Sequence, residues 1–252
     1  MSTLSVVVIT RNEEANIARC LKSVSWADDI VVMDSSSTDR TVEIAKEHKA
    51  RVFTVDWKGF GAAKQEGVDK SVGEWVLSID ADEEVSGQLT DEIRKAIEDN
   101  AYNGYYIGRR TNFLGRWIYH CGWSDSVLRL FKKENGRFDG ATVHERIVLD
   151  GEAGHLKGEL FHYSYPTLES YFEKFNRYTT LGAQQALEQG KSANWLDIVI
   201  RPPVSFVKHY ISKQGFRDGL EGFTISALSS VAVLVKYAKL RDLQRKERSV
   251  GN

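Results

Sequence analysis

Strand-length apolar runs alternate with segments of helical spacing through the first third of the chain. Continuous, β-branched apolar runs are typical of parallel strands that are covered on both faces. Such runs predict strands at Leu4–Ile9, Ile30–Met33, Arg51–Val55 and Trp75–Ile79. The segments between them predict helices from an N-cap at Asn12, over Thr41–Lys49 and over Phe60–Lys70. This repeat predicts an α/β fold with a doubly wound, mainly parallel sheet.

Polar residues cluster directly after three of the predicted strands. Thr10–Glu13 follows the first strand, Asp34–Asp39 the second and Asp80–Glu84 the fourth. In doubly wound sheets the carboxyl ends of the strands meet at one rim, and ligands bind outside it. The sequence therefore predicts one ligand site built from these three clusters.

The acidic cluster favours a divalent metal ion. Asp80 and Asp82 are two residues apart, so in extended backbone their carboxylates share a face and repel each other unless a cation lies between them. Mg²⁺ and Mn²⁺ suit a few carboxylate oxygens together with substrate phosphates. The alternative is a solvated turn or a helix N-terminus capped by Glu83 or Glu84. A calcium-binding loop is disfavoured because Val85 stands where that loop needs glycine.

A glycine-rich phosphate loop is not indicated. No GxGxxG follows the first strand, and Gly59–Lys64 lacks the GK[ST] ending of a Walker A loop. Lys64 remains a candidate point charge for a phosphate, and the alternative is an exposed helix lysine.

Further along the chain, the pattern predicts strands over residues 104–110 and 127–132 and helices over residues 87–99, 167–189 and 204–216. An aromatic-rich loop separates the two strands, and its rings either form a wall for a sugar or roof the core: Phe113, Trp117, Tyr119 and Trp123. Phe223–Val235 carries no charge, but it is shorter than the ~20 residues that span a bilayer.

Charge is spread unevenly along the chain. From Arg201 onward there are 10 Lys and Arg against 4 Asp and Glu, a net +6, whereas residues 1–200 hold 24 against 31, a net −7. An apolar helix with basic flanks lies readily in the interface of an anionic membrane. The alternative is a core helix with a solvated basic end. We expect an anionic membrane surface as a partner and no nucleic acid.

Composition indicates the class of protein and the compartment in which it is found. With 42% apolar and 27% charged residues, the chain is typical of soluble globular proteins. Cys20 and Cys121 stand alone, which favours neither a zinc site nor a disulfide framework. No basic and apolar leader precedes the strand at Leu4, so no signal peptide is expected and the cytoplasm is the predicted location.

The chain resembles an inverting family 2 glycosyltransferase of GT-A fold in the order and spacing of three blocks: Ser5–Glu14, Asp34–Asp39 and Asp80–Asp82. The resemblance implies a UDP-sugar donor and a divalent metal ion, Mg²⁺ or Mn²⁺, held by Asp82 with Asp80. The resemblance places six residues against the nucleotide sugar: Thr10, Asn12, Glu13, Asp34, Ser36 and Asp80. Lys64 is added to this set because of its positive charge.

A transferase of this kind needs a carboxylate that deprotonates the acceptor hydroxyl. Val143-His144-Glu145 resembles a block found in small bacterial lipopolysaccharide-core and related family 2 enzymes, so Glu145 is the predicted base and Asp125 the alternative. The structural alternative for Glu145 is a surface position or a salt bridge, for example with Arg146. His144 and His162 are candidate further metal or phosphate contacts, or else core histidines.

The C-terminal part also resembles the small lipopolysaccharide-core β-1,4-glucosyltransferases. This implies a GT-A domain over residues 1–190, with a nucleotide-binding half (1–110) and an acceptor half (111–190), and a helical membrane-associating extension over 191–252. The implied reaction moves one glucose to a lipid-linked saccharide, the lipopolysaccharide inner core, with the enzyme peripheral on the inner face of the cytoplasmic membrane. A transferase for another cell-surface glycan, a nucleotidyltransferase and a non-catalytic glycan- or membrane-binding module are the rivals.

Overall fold

A computed structural model of the chain describes residues 2–139 and 145–250. The strands are β1 Leu4–Thr10, β2 Asp29–Asp34, β3 Arg51–Thr54, β4 Trp75–Asp80, β5 Glu83–Val85, β6 Gly104–Phe113, β7 Arg116–Trp117, β8 Asp125–Lys132, β9 Gly136–Phe138, β10 Ile147–Leu149 and β11 Ala153–Tyr165. The helices are α1 Ile17–Ser23, α2 Thr41–Glu47, α3 Phe60–Lys70, α4 Gly87–Asp99, α5 Leu168–Glu188, α6 Trp195–Val199, α7 Arg201–Val207 and α8 Gly219–Val250. A π-helical turn, Lys208–Ser212, follows α7, and a 3₁₀ turn, Gly215–Asp218, precedes α8.

The first four predicted strands form the parallel half of one sheet, in the order β3-β2-β1-β4. β1 is buried at every position, as a strand in the middle of a covered sheet should be. The sheet continues through β8, β6, β11 and β5, and β8 runs antiparallel to both β4 and β6. The sheet is therefore mixed, with its parallel half at the polar clusters.

Successive residues of the parallel strands enter two different cores. Val6 and Val8 pack on one face with the apolar sides of α1 and α4, while Val7 and Ile9 pack on the other with α3. This alternation is the period of two expected for a strand with both faces covered. The carboxyl ends of the strands are left at the rim, where the polar residues begin.

One local prediction, for Asn12, and one local alternative, for Glu83 and Glu84, are wrong. Asn12 does not cap a helix: α1 begins at Ile17, and the Asn12 side chain instead accepts a hydrogen bond from the Thr38 amide at 2.8 Å. Glu83 and Glu84 cap no helix either, because they lie in β5, and Ser86 is the residue that caps α4. In both cases the side chains form tertiary contacts instead of capping a helix.

The chain divides into two compact units. One runs through Arg110 and resumes over Asp125–Tyr163; the other comprises Thr111–Ser124 and the chain from Ser164 onward. In the second unit, an aromatic core that includes Phe113 and Tyr171 lies beside α8. The domain boundaries predicted from the sequence stay predictions.

Helix α8 is much longer than the apolar run that predicted it. The segment Gly215–Glu247 is long and apolar enough to cross a membrane, and only 17% of its most apolar stretch is buried. The expectation that the run is too short to span is thus corrected, because helix extends on both sides of it. Core helices of soluble proteins can meet the same criterion, so length and composition assign no span by themselves.

Candidate active site

The loops after β1 and β2 are tied together by hydrogen bonds. The Asn12 amide donates to Ser37 Oγ at 2.9 Å, and the Glu13 amide donates to Thr41 Oγ1 at 2.8 Å. Asn12 adopts a left-handed backbone conformation, with φ of 53°, which asparagine tolerates better than most residues. Two of the three predicted clusters therefore form one corner of the rim.

Thr10 and Asp34 are register partners at the ends of β1 and β2 and are both buried. The Asp34 carboxylate accepts hydrogen bonds from the Ser37 amide, at 3.0 Å, and from the Ser37 hydroxyl. The Thr10 hydroxyl has no hydrogen-bond partner among the residues that the structure describes. Ser36 is exposed beside them, with φ of 59°. The structure thus brings the predicted nucleotide residues of these two loops together.

Lys64 is 2% exposed, so it is not the exposed helix lysine of the alternative hypothesis. It projects from α3 with its Nζ atom 3.0 Å from Asp80 Oδ1 and 2.6 Å from Glu145 Oε1. The ammonium therefore joins the acidic block to the predicted base, which is far away in sequence. Glu145 is largely buried at this contact.

Arg129, in the middle of β8, is the second cation of the acidic block. Its Nη2 atom lies 3.0 Å from Asp80 Oδ2 and 3.2 Å from Glu83 Oε1. Burial opposes ionisation of Asp80, but the positive charges of Lys64 and Arg129 outweigh it and hold the pKa of Asp80 well below its usual range. Burial likewise lowers the pKa of Arg129, and the carboxylates of Glu83 and Asp80 outweigh it and raise that pKa.

Arg109 extends this arrangement to Asp125. Its Nε and Nη2 atoms donate to the two Asp125 oxygens at 3.0 and 2.8 Å, and its Nη1 atom lies 3.5 Å from Glu83 Oε1. Acids and bases therefore alternate in a chain of seven residues: Glu145, Lys64, Asp80, Arg129, Glu83, Arg109 and Asp125. Charges removed from water need such partners, and the side chains of this set other than Asp125 are largely buried.

Sequence reasoning missed Arg109 and Arg129 as members of the site, and it included Glu83 only as part of the acidic cluster, without its arginine partners. Arg129 had a signal, because it stands inside the apolar strand run Val127–Phe131, where an arginine needs a buried partner. Its partners, however, lie on other strands and are set only by the fold.

Asp82 is 9% exposed, and its Oδ2 atom lies 3.3 Å from Nε2 of His162. Burial lowers the pKa of His162, but the negative charge of Asp82 outweighs it and raises that pKa above the ordinary value. Within residues 2–139 and 145–250, no group of three or more His, Cys, Asp or Glu side chains is arranged to hold a metal ion. His144 lies outside the described residues.

This donor set nevertheless fits a Mg²⁺ or Mn²⁺ ion that binds with its substrate. Such ions are held by one or two carboxylates plus phosphate oxygens, not by a cage of protein ligands. Asp80 lies against the cations Lys64 and Arg129, and Asp82 lies against the His162 imidazole. Both carboxylates belong to the acidic block, so each can offer an oxygen to an incoming ion.

Residues 5–148 match the family model described as "Glycosyl transferase family 2". An uncharacterised glycosyltransferase of Rickettsia typhi is 32% identical, with 99% of this chain and 90% of that protein covered. The lipopolysaccharide core biosynthesis glycosyltransferase LpsC of Rhizobium meliloti is 29% identical, with 94% and 91% covered.

Among solved structures, TarS residues 1–349 from S. aureus, in complex with UDP, match with a TM-score of 0.51 at 16% identity. The match covers 97% of this chain and 92% of that one. A second crystal structure of the same protein, in complex with UDP-GlcNAc, also gives a TM-score of 0.51. Together with the sheet order, these likenesses show the GT-A fold predicted from the sequence, and the family model and the relatives show that this chain belongs to glycosyl transferase family 2.

Proposed function

We propose that this protein transfers one glucose from UDP-glucose to a lipid-linked bacterial saccharide, the inner core of lipopolysaccharide, with inversion at the anomeric carbon. The observation that carries the proposal is the contact of Lys64 with both Asp80 and Glu145, at 3.0 and 2.6 Å. Through this contact Glu145, a carboxylate that can act as a general base, lies close to the acidic block Asp80–Glu84, which we propose binds the diphosphate. The printed name of the R. meliloti relative, lipopolysaccharide core biosynthesis glycosyltransferase, supports the acceptor class.

The nucleotide end of the donor is assigned to the corner formed after β1 and β2. Thr10 offers a buried hydroxyl without a partner among the described residues, and Asp34 a buried carboxylate with lone pairs left beyond those used by Ser37. Asn12, Glu13 and Ser36 belong to the same two loops. The complexes of TarS with UDP and UDP-GlcNAc support a uridine nucleotide as the donor's carrier.

The diphosphate end is assigned to Asp82 and Asp80, with His144 as a candidate further ligand of a Mg²⁺ or Mn²⁺ ion. When bound, such an ion neutralises negative charge on the diphosphate leaving group. Asp80 is held in place by Lys64 and Arg129, and it therefore fixes the acidic block before any substrate arrives.

Glu145 acts as the general base in this proposal. Its carboxylate takes the proton of the acceptor hydroxyl while the hydroxyl oxygen bonds to the anomeric carbon and the bond from that carbon to the diphosphate breaks. One displacement leaves UDP and an inverted glycoside. Asp125 is the weaker candidate because both of its oxygens accept hydrogen bonds from Arg109.

A membrane-bound acceptor calls for a protein that stays near the membrane. We assign the enzyme to the inner face of the cytoplasmic membrane as a peripheral protein. The net +6 charge from Arg201 onward and the largely unburied apolar stretch of α8 support this assignment.

The test is release of UDP from a panel of UDP-sugars, with and without a delipidated core oligosaccharide as acceptor. UDP-glucose should give the fastest acceptor-dependent release. Glu145→Gln should leave affinity for UDP-glucose nearly unchanged and lower transfer by roughly 10²–10⁴-fold, the usual worth of general-base catalysis. Asp125→Asn should have a much smaller effect.

Three results would redirect the proposal. Preference for another sugar or another cell-surface glycan would change the substrate and keep the reaction. Asp125→Asn acting more strongly than Glu145→Gln would make Asp125 the base. No UDP release with any donor would favour a non-catalytic glycan- or membrane-binding module.

A further inference from the structure

An exposed aliphatic stripe runs along α6, α7 and the π-helical turn. Its members recur at helical spacing and are each between 46% and 60% exposed: Leu196, Ile200, Val204, Val207 and Ile211. Ile200 ends α6 and precedes α7 with helical backbone angles, so the stripe continues from one helix into the next. Trp195, 63% exposed, stands at its beginning. Five aliphatic side chains in one row are a feature of an interaction surface, not of scattered surface residues.

A different side of the same segment holds it to the protein. Pro202 is buried, and its carbonyl accepts a hydrogen bond from Ser230 of α8 at 2.7 Å. Phe206 and Tyr210 pack their rings against Phe223 of α8 at centroid distances of 5.7 and 5.8 Å. The stripe is therefore on the side of the segment that α8 leaves uncovered.

Positive charge accompanies the stripe. Lys208 and Lys213 are exposed, and neither forms an ion pair within the part of the chain that the structure describes. The acids of this stretch are already engaged: Asp197 pairs with Arg201, and Asp218 accepts hydrogen bonds from the amides of residues 119 and 120. The surface thus presents an apolar row with uncompensated lysines.

We propose that this aliphatic stripe inserts into the headgroup boundary of an anionic bilayer and is the protein's membrane contact. An apolar row with lysines beside it and a tryptophan at its end is the composition of an interfacial helix. Anionic headgroups supply the countercharge for Lys208 and Lys213. A protein partner fits less well, since lysine is depleted from protein interfaces.

The inference deepens the proposed function and rests on its membrane-bound acceptor. It moves the membrane contact from the apolar run and basic end of α8, where the sequence predicts it, to the segment before α8. That segment lies along the membrane plane in this arrangement, so no part of it has to cross the bilayer.

The experiment is co-sedimentation of the full chain with vesicles of phosphatidylcholine alone or mixed with phosphatidylglycerol. The double variant Val204→Asp/Val207→Asp should bind the mixed vesicles at least about tenfold more weakly than the parent. Lys208→Glu/Lys213→Glu should lose mainly the preference for phosphatidylglycerol and the sensitivity to salt. Val72→Asp, a matched exchange at a 74% exposed valine elsewhere, should bind like the parent.

Parent-like vesicle binding by Val204→Asp/Val207→Asp would overturn the proposal, and retention of that variant after alkaline carbonate washing would point to α8 as a span. A dimeric parent that becomes monomeric in this variant, seen by sedimentation velocity, would make the stripe a contact between copies. Transfer to the water-soluble acceptor should be unchanged in Val204→Asp/Val207→Asp. If the parent lacks that transfer, the proposed function fails independently of vesicle binding.

Discussion

The Nζ atom of Lys64 lies 2.6 Å from Oε1 of Glu145, 81 residues further along the chain, and 3.0 Å from Oδ1 of Asp80. Lys64 is almost completely buried. One ammonium group therefore fixes two carboxylates that are assigned to different substrates, Asp80 to the donor and Glu145 to the acceptor. Under the proposed function, the donor and acceptor ends of the reaction share this positioning residue.

Lys64→Met should uncouple these two carboxylates. The methionine nearly preserves the volume of the side chain but removes the hydrogen bond to Glu145 and the ion pair with Asp80, so Glu145 loses its anchor. We expect kcat to fall by about 10²-fold, within the range seen when a general base is impaired, with a smaller change in KM for the donor. Steady-state kinetics measure both constants. Lys70→Met, at a more exposed lysine of the same helix, is the control.

Partial recovery of kcat in Lys64→Arg would support a positioning role, because arginine restores a cation that can bridge carboxylates. If Lys64→Met lowers the free energy of unfolding enough to account for the whole loss of activity, Lys64 would instead be a purely structural residue.

Asp82→Asn should weaken binding of Mn²⁺ in the presence of UDP, because one anionic oxygen ligand is lost. Electron paramagnetic resonance of free Mn²⁺ gives the affinity without relying on turnover. Binding of UDP without metal should be nearly unchanged. Asp91→Asn, at an exposed position of α4, provides the matched control. Unaltered Mn²⁺ affinity in Asp82→Asn would remove this residue from the metal site.

Asp29 stabilises the fold far from the site, in a pH-dependent way. Its carboxylate accepts hydrogen bonds from Ser5 and from two nitrogens of Arg51, all at 2.8 Å. Burial raises the pKa of Asp29, but the hydrogen bonds of Arg51 and Ser5 outweigh it and lower that pKa in the folded state. The stabilisation is therefore present above the unfolded-state pKa, about 3.9, and is lost as the pH falls through the lower folded-state value.

Asp29→Asn should accordingly reduce the free energy of unfolding by about 1–3 kcal/mol at pH 7, the range for hydrogen bonds to charged groups. The difference from the parent should shrink once the pH falls below about 4. Urea unfolding at several pH values measures it, with the exposed Asp99→Asn as control. A difference that stays constant down to pH 3 would contradict the assignment.

Gly158 gives a test of packing. A Cβ atom at this position of β11 would lie 2.5 Å from both the Cα and the backbone nitrogen of Leu89, and backbone atoms cannot move aside as a side chain can. Gly158→Ala should therefore lower the free energy of unfolding by about 1–3 kcal/mol or more. At Gly108, in β6, the nearest atom would be a side-chain carbon at 3.6 Å, so Gly108→Ala should cost far less. Equal losses in the two variants would exclude a steric cause.

The parallel half of the fold was predictable because each strand carries its own signal. The apolar runs that end at Thr10, Asp34 and Asp80 fixed three strands and, through the rim rule for doubly wound sheets, the neighbourhood of the polar clusters. Prediction from local sequence was wrong where a side chain bonds to a residue that is distant in sequence. Asn12 is a good N-cap by residue type, but its side chain bonds to Thr38 in the next loop instead.

The charge network was not predictable for a related reason. A lysine in a helix is normally solvated, and nothing near Lys64 in sequence indicates that its partners come from β4 and from the segment before β10. Arg129 of β8 and Glu83 of β5 likewise meet only in the folded chain, although β6 and β11 stand between their strands in the sheet order. Such pairings depend on strand order, which periodicity does not contain.

The alternation of acids and bases from Glu145 to Asp125 also has a consequence for how this chain can change over evolution. Each internal member balances two neighbours, so a single neutral replacement leaves an unmatched charge in a poorly hydrated place. Tolerated changes should therefore come in compensating pairs. An alignment of relatives should show Arg129 and Glu83 substituted together more often than separately, whereas the exposed pair Arg40 and Glu43 should vary independently.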